Sequence, residues 1–283
     1  MVKIIDGQQL AEKIKDEVAK EIFTLKKMRP NLAIILVGER DDSLLYVNMK
    51  EKEAKKVGID THIYKCPSNI PEREIFEMIE YLNKDDLIDA ILVQLPLPEG
   101  YDTDGIIRAI DPKKDVDCFH PDNLARLFKS CDNKKIFPPL ISVILEILES
   151  INYDIKEKQV CIIANSDIFG QSIKRVLECL GGKVEITSFE DKNLKEKTAV
   201  ADVLITAVGK AEFIKKDFIK DDAVIIDIGI TKKNGKIFGD VNFEDVKKKA
   251  GFITPVPGGV GPMTIAMLFK HTLELFKNQK YGE

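Results

Sequence analysis

The apolar positions of this chain fall into two patterns. Compact runs of apolar and β-branched residues (Leu32 to Val37, Thr61 to Lys65, Ile88 to Val93) alternate with longer stretches whose apolar residues recur every third or fourth position. The compact runs predict buried strands, and the longer spacing predicts amphipathic helices over Ser43 to Val57 and Glu72 to Leu82. Gly58 closes the first of these helices, because glycine reaches the left-handed backbone of a C-cap without steric cost. A strand-helix alternation of this kind feeds a parallel sheet and defines a first α/β domain.

From Asp111 to Cys131 the periodicity lapses into a connection rich in Pro, Asp and Lys, and a second series starts near Pro138. Its strands are predicted at Val160 to Ala164, Val184 to Thr187, Val203 to Val208 and Val224 to Ile228, with a helix from Gly170 to Leu180 and a final helix over about Ile265 to Phe276. The expected fold is two α/β domains flanking a cleft. One takes residues 1–137 plus 255–283; the other, residues 138–254, is a Rossmann-like doubly wound parallel sheet suited to a dinucleotide.

Composition narrows the function. The 283 residues exceed the common single-domain size of about 100–150, which agrees with two cores. The net charge of −4 excludes nucleic acid as an obligate partner, since phosphate binding needs a concentrated basic surface. No apolar run approaches the ~20 residues of a membrane helix, and the start Met-Val-Lys-Ile-Ile-Asp-Gly has no signal core, so a cytoplasmic enzyme without membrane contact is expected. The five cysteines (Cys66, Cys118, Cys131, Cys161, Cys179) lack a C-x-x-C pair and are expected to be reduced packing residues. His62, His120 and His271 share no ligand spacing, so no metal is expected.

Several segments could carry chemistry. Tyr46 and Lys50, four apart on a helix, project from one face and can share a site, although a solvated lysine beside a half-buried tyrosine has the same spacing. Gln94 ends a buried strand ahead of Pro96 and Pro98, where open α/β sheets hold ligands; an edge amide satisfied by backbone would look alike. Lys114-Asp-Val-Asp117-Cys118 offers alternating carboxylates to a donor-rich heterocycle, or forms an ordinary turn. Pro255 to Thr264 holds three prolines and three glycines, either a ligand-lining segment or a tight turn. Ala164-Asn165-Ser166-Asp-Ile168-Phe-Gly170 joins a strand to a helix start, which favours a phosphate. Glu190 and Asp191 follow the next strand, where a carboxylate would hold a ribose hydroxyl and repel a 2′-phosphate, or simply sit in a solvated loop.

In this order, the segments Asp6-Gly7, Tyr46-Val-Asn-Met-Lys50, Val93-Gln-Leu-Pro-Leu-Pro98, Lys114-Asp-Val-Asp117, Gly239-Asp-Val241 and Thr254-Pro-Val-Pro-Gly-Gly-Val-Gly-Pro-Met-Thr264 closely resemble the methylenetetrahydrofolate dehydrogenase / methenyltetrahydrofolate cyclohydrolase family. The resemblance implies oxidation of 5,10-methylenetetrahydrofolate with NADP or NAD, then hydration to 10-formyltetrahydrofolate, both at one folate site. It implies that Lys50 is catalytic, that Tyr46 orients the folate, that Gln94 holds and tunes the lysine, and that Asp117 binds the pterin. It further implies that Pro257, Gly258 and Gly259 line the folate, that Ala164, Asn165, Ser166, Ile168, Gly170, Gly209 and Ile230 bind the cofactor, and that the protein is a homodimer.

The departures gather in the cofactor half. Ala164-Asn165-Ser166 stands where the family has Gly-Arg-Ser or Gly-Ala-Ser, Ser172 and Ala211 replace prolines, Cys118 and Ala125 replace glycines, and Pro138 to Val143 keeps only the first proline of its pattern. Ser188-Phe189-Glu190 presents no evident cation for a 2′-phosphate, which favours NAD. The alternatives are a cyclohydrolase with weak or lost dehydrogenase activity and a non-catalytic folate-binding protein of the same fold.

Overall fold

The computed structural model describes residues 2–25, 28–129 and 137–282, so Cys131 lies outside the described residues. The chain opens with β1 (Lys3–Ile4) and α1 (Gly7–Thr24), then runs through β2 (Asn31–Val37), α2 (Asp41–Val57), β3 (Asp60–Cys66), α3 (Glu72–Lys84), β4 (Ala90–Val93), α4 (Thr103–Ala109) and α5 (Pro121–Lys129). It continues with α6 (Pro139–Ser150), β5 (Gln159–Ala164), α7 (Asp167–Cys179), β6 (Lys183–Thr187), α8 (Leu194–Thr198), β7 (Val203–Ala207) and β8 (Val224–Asp227). The last elements are β9 (Thr231–Lys233), β10 (Lys236–Phe238), α9 (Phe243–Val246), β11 (Phe252–Ile253) and α10 (Val260–Tyr281). Two compact units result, one built chiefly from Glu12–Arg126 with Ile265–Glu283, the other chiefly from Leu140–Thr264 with Met1–Ala11.

In the first unit β2 is the centre of a three-stranded parallel sheet in the order β3-β2-β4. Its Leu32, Ala33, Ile34, Ile35 and Leu36 are buried on both faces, as the unbroken apolar run requires. One face packs against Ile75, Ile79 and Leu82 of α3. The segment after α4 lies alongside β4 through a parallel bridge between Ile91 and Asp115, which widens the sheet without adding a regular strand.

The second unit holds a six-stranded sheet in the order β1-β11-β8-β7-β5-β6, with every pair parallel. From β5 the chain steps outward to β6 and then crosses to β7 and β8 on the other side, the doubly wound plan with its switch point beside β5. β1 pairs with β11, so the amino-terminal strand completes this sheet. The separate β9-β10 hairpin turns at Asn234 and Gly235, with φ of 51° and 73°, the positive values a two-residue hairpin turn demands.

The structure extends the sequence reading at several places. α1 and α6 are helices beyond those expected from the apolar spacing, and α6 buries Ile141, Val143, Ile144, Ile147 and Leu148. Ile88 and Asp89 precede β4, although Asp89 still meets β2, its N–H donating to Asn31 O at 3.0 Å and its side chain accepting the Asn31 N–H at 2.8 Å. Cys66, Cys118 and Cys161 are free and buried, but Cys179 is disulfide-bonded, since scattered spacing does not prevent the fold from bringing thiols together. Among the described residues, no helix is long and apolar enough to cross a membrane.

Candidate active site

α2 leaves the carboxyl end of β2, with Asp41 and Asp42 in its first turn and Lys55 and Lys56 in its last, charges that complement the helix dipole. Gly58 ends it at φ 87°. Val47 and Ala54 point inward, while Leu45, Tyr46 and Met49 stay exposed at 60%, 40% and 43%, a partly open apolar strip on the helix that carries Lys50. The Lys50 Nζ donates to Gln94 Oε1 at 2.8 Å.

Gln94 is the first residue past β4, and its N–H still donates to Ile35 O at 2.9 Å. Its Nε2 donates to Leu95 O at 2.8 Å, which turns the amide so that its oxygen meets the lysine. The Leu95-Pro96 peptide that follows is cis.

Asp117 is carried in by the segment bridged to β4. Ile91 N–H donates to Lys114 O at 2.7 Å, and the Lys114 Nζ donates to Leu82 O and Asp85 O at 3.0 and 2.8 Å, tying this segment to the end of α3. Asp115 accepts from His120 N–H and Asn123 Nδ2 at 2.8 and 3.0 Å, so this carboxylate is spent on the turn. His271 of α10 is buried with Nδ1 3.4 Å from Val116 O, and burial pushes its imidazole down to about 4, so it is neutral. Asp117, the next acid, is left electrostatically coupled to Lys50.

The charges at this pair are tuned by the same cause. Burial lowers the Lys50 ammonium below its ordinary value, with Asp117 acting in the opposite direction. Burial raises Asp117 to about 6, opposed by Lys50 and reinforced by Asp115. Both directions make a neutral amine more accessible near neutrality than on a surface lysine. Cys118 follows at φ 56°, the left-handed region a glycine would supply, and its buried thiol points to Asp115 O at 3.8 Å. The cysteine therefore preserves the loop's backbone conformation, at a cost of roughly 1 kcal/mol.

In the second unit, Gly258 has φ 103° and the preceding Val256-Pro257 peptide is cis. A Cβ on Gly7 would lie 1.7 Å from Gly259 O. The Asp6-Gly7 pair and the Pro-Gly-Gly turn, far apart in sequence, are thus one packed structure in which no side chain fits at residue 7.

The cofactor candidates gather at the carboxyl ends of β5, β7 and β8. Ala164 ends β5; Ser166 caps α7, its Oγ accepting Phe169 N–H at 3.3 Å. A Cβ on Gly170 would meet Ile186 at 3.3 Å, so glycine lets α7 pack close to β6. Asn165 Nδ2 donates to Val208 O at 2.8 Å, joining the loops after β5 and β7. Gly209 has φ 70°. Ile168 and Ile230 are 65% and 55% exposed, large apolar groups with open faces at that edge.

Two buried acids hold these loops, Asp240 of the Gly239-Asp-Val241 motif and Asp227, to which the sequence alone assigns no role. Asp240 accepts from Thr206 Oγ1, Val208 N–H and Lys210 N–H at 2.9, 2.8 and 2.8 Å. Asp227 accepts from Gly229, Asp240 and Val241 N–H at 3.0, 3.1 and 2.9 Å. The space is closed by Gly229 and Gly239, whose added Cβ atoms would come within 2.1 Å of Asp240 and 2.0 Å of Asp227. Gly239-Asp-Val241 was visible as a motif, but nothing in its spacing shows that its acid binds the loop after β7.

A lysine tuned by an amide and a carboxylate, and a doubly wound sheet with a capped helix start at its switch point, define a two-domain nucleotide-dependent fold with a separate lysine centre. The chain matches the family described as tetrahydrofolate dehydrogenase/cyclohydrolase, its catalytic domain over residues 5–117 and its NAD(P)-binding domain over residues 138–280. It is 45% identical over 282 residues to the "Bifunctional protein FolD" of a Nitratiruptor species, covering 99% of each chain. The structure of the FolD methylenetetrahydrofolate dehydrogenase/cyclohydrolase from Campylobacter jejuni superposes with a TM-score of 0.95 at 38% identity, covering 98% of this chain and 99% of that one. The Trypanosoma brucei N5,N10-methylenetetrahydrofolate dehydrogenase-cyclohydrolase, solved with NADP cofactor and inhibitor, gives 0.93 at 32% identity over 98% of each chain. The chain belongs to the tetrahydrofolate dehydrogenase/cyclohydrolase family.

Proposed function

We propose that this chain oxidises 5,10-methylenetetrahydrofolate to the methenyl form with a nicotinamide dinucleotide and hydrolyses that product to 10-formyltetrahydrofolate, with Lys50 as the general acid-base of the hydrolysis. The observation that carries the reading is the Lys50–Gln94 hydrogen bond of 2.8 Å with Asp117 coupled to the same amine. Residues 1–137 with 255–283 are assigned the folate chemistry and 138–254 the dinucleotide; the assembly is a homodimer in the cytoplasm.

In this mechanism the apolar strip of Leu45, Tyr46 and Met49 receives the flat part of the folate, with Tyr46 orienting it. Asp117 accepts hydrogen bonds from the pterin's donors, and Pro257, Gly258 and Gly259 line the substrate. Neutral Lys50 takes a proton from the water that attacks the methenyl carbon, and the resulting ammonium returns it to N5 as the carbon–N5 bond breaks. Gln94 Oε1 keeps the amine aimed through both transfers. The water's second proton leaves to solvent, which balances the loss of the substrate's positive charge.

A nicotinamide dinucleotide bound here would supply the hydride acceptor for the methylene carbon, chemistry that asks the chain for alignment more than for a base. Ala164, Asn165, Ser166, Ile168, Gly170, Gly209 and Ile230 hold the dinucleotide. What supports this is the capped start of α7 and the exposed Ile168 and Ile230 at the carboxyl edge of the sheet. Asp167, in the first turn of α7, works against an anionic pyrophosphate and favours a second reading in which hydrolysis outpaces oxidation.

The test is a pair of absorbance assays on the purified protein. One contains methylenetetrahydrofolate with NAD or NADP and follows reduced nicotinamide; the other contains methenyltetrahydrofolate alone and follows its loss above the spontaneous rate. Activity in both is expected. Activity in neither would defeat the reading, and activity only in the second would leave the hydrolase alone.

A further inference from the structure

The final helix, α10, grips the segment that carries Asp117 at two places. Near its carboxyl end, Gln279 Nε2 donates to Asp89 O at 2.7 Å and to Lys113 O at 3.3 Å, so one amide spans the entry to β4 and the segment bridged to that strand. About two turns earlier on the same stripe of the helix, His271 sets its Nδ1 3.4 Å from Val116 O. Both contacts lie within the unit that holds Lys50, Gln94 and Asp117.

The Val116 carbonyl belongs to the peptide whose nitrogen is that of Asp117. That peptide is a rigid plane, so a group that fixes its oxygen also fixes the direction in which the Asp117 Cα leaves it. The stronger ties of the segment stop short of this plane. Ile91 N–H holds Lys114 O at 2.7 Å, and the Asp115 carboxylate is taken by His120 N–H and Asn123 Nδ2. Val116 N–H meets Ile91 O at 3.5 Å and Cys118 N–H meets Asp115 O at 3.4 Å, both long for amide bonds. Among the described residues, no backbone N–H donates to Val116 O. The His271 contact is also long, but it acts on the plane's oxygen, from a ring that is 4% exposed and carried on a helix. Val116 is 0% exposed, so water does not stand in for that donor.

The chemistry of the ring suits this task. A carbonyl only accepts, so Nδ1 carries the proton. Burial pushes the imidazole down to about 4, and near neutrality the ring therefore holds one proton, which the bond to Val116 keeps on Nδ1. A lysine or arginine here would donate too, but would bring a further positive charge to the coupled Lys50 and Asp117.

We infer that His271 is a positioning residue for the folate site: through the Val116 carbonyl it sets the direction of the Asp117 carboxylate, and with it how tightly the site holds the pterin. The inference rests on the folate reading above and gives the final helix a part in substrate recognition.

Steady-state hydrolysis of methenyltetrahydrofolate by wild type, His271→Leu and His271→Asn tests it, with His271→Leu repeated in an Asp117→Asn background. Leucine removes the donor, whereas asparagine returns an N–H to it. A pterin contact is present both before and during the reaction, so a misdirected Asp117 should raise KM roughly five- to tenfold, the scale of one hydrogen bond, with kcat within about twofold. His271→Asn should keep KM within about twofold of wild type. In Asp117→Asn protein the added His271→Leu should change KM by less than about twofold, because the carboxylate it aims is gone, whereas a general structural defect carries its full factor into both backgrounds. A wild-type KM in His271→Leu, a loss confined to kcat, or an equal effect in both backgrounds overturns the assignment. Should His271→Leu fail to melt cooperatively, nitrogen NMR of histidine-labelled wild type at neutral pH decides: the Nδ1–H form is expected, and a ring protonated on Nε2 alone, which has no proton for Val116 O, overturns it. Folded wild-type protein that does not hydrolyse methenyltetrahydrofolate would instead defeat the folate reading itself.

Discussion

The Lys50 Nζ donates to Gln94 Oε1 at 2.8 Å, and the other end of the same amide is fixed by its bond to Leu95 O at 2.8 Å. A neutral partner holds the amine in place without adding the negative charge that would keep it protonated. Gln94→Glu would supply that charge at hydrogen-bond distance. The expected result is a shift of the hydrolase pH profile's amine limb to higher pH by roughly 1–3 units, with lower activity near neutrality. Initial rates of methenyl loss from pH 6 to 9 measure it; an unmoved limb would mean that the amine does not titrate in the reaction.

Asp117 steepens the acid side of the profile. Its carboxyl is raised to about 6, so it gains a proton as pH falls through that value, and the pterin then loses its charged acceptor. Below pH ~6 the kcat/KM for methenyltetrahydrofolate should therefore fall by about a further tenfold per pH unit beyond the fall that protonation of Lys50 causes. Asp117→Asn should remove this added steepness, leave the amine limb and lower the plateau. An added steepness that persists in Asp117→Asn would assign it to another group.

The Gly7–Gly259 contact predicts a coupled defect. With a Cβ only 1.7 Å from Gly259 O, Gly7→Ala must displace the Pro257-Gly258-Gly259 turn or the start of α1. The folate KM should rise several-fold and the melting temperature fall. Unchanged values for both would show that the turn tolerates the displacement and does not line the substrate.

Asp240 and Asp227 predict stability effects of different kinds. Asp240→Ala leaves the Val208 and Lys210 N–H groups and the Thr206 hydroxyl without their acceptor inside the protein, at about 1–3 kcal/mol each where water cannot reach. A melting temperature lower by about 5–10 °C is expected. Asp227 is raised from 3.8 to about 7, mainly by burial, so it binds its proton more tightly folded than unfolded. Its contribution is fully present below pH ~4 and lost as pH rises through ~7, by up to about 4 kcal/mol. The stability advantage of wild type over Asp227→Asn should therefore shrink between pH 4 and 8, as denaturant titrations would show; a constant difference would contradict the raised value.

Much of this architecture is legible in the sequence, and the limits follow from locality. The central strands β2, β4, β5, β7 and β8 show themselves as apolar runs because parallel strands are buried on both faces, whereas the two-residue β1 and β11 leave no run to read. Lys50, Gln94 and Asp117 stand in short motifs, Lys50 on the helix that follows β2, Gln94 just past β4 and Asp117 on the segment bridged to β4. The relationships that remained hidden join distant residues: Gly7 with Gly259, Asp240 with Val208 and Lys210, His271 with Val116. A local pattern also misleads when two acids are adjacent. Glu190 and Asp191 look alike in sequence, but Asp191 is consumed by Thr187, Asn193 and Lys197. Cys118 shows the reverse case, a residue that looks disruptive at a glycine position and yet takes the required φ of 56°.

The most direct measurement is the rate of methenyltetrahydrofolate loss catalysed by wild type and by Lys50→Met, each checked for a cooperative thermal melt. Removing the amine while keeping a side chain of similar length should cut the catalysed rate by about 10²–10⁴-fold, the usual worth of a positioned general acid-base. A folded Lys50→Met protein that hydrolyses methenyltetrahydrofolate as fast as wild type would contradict the account.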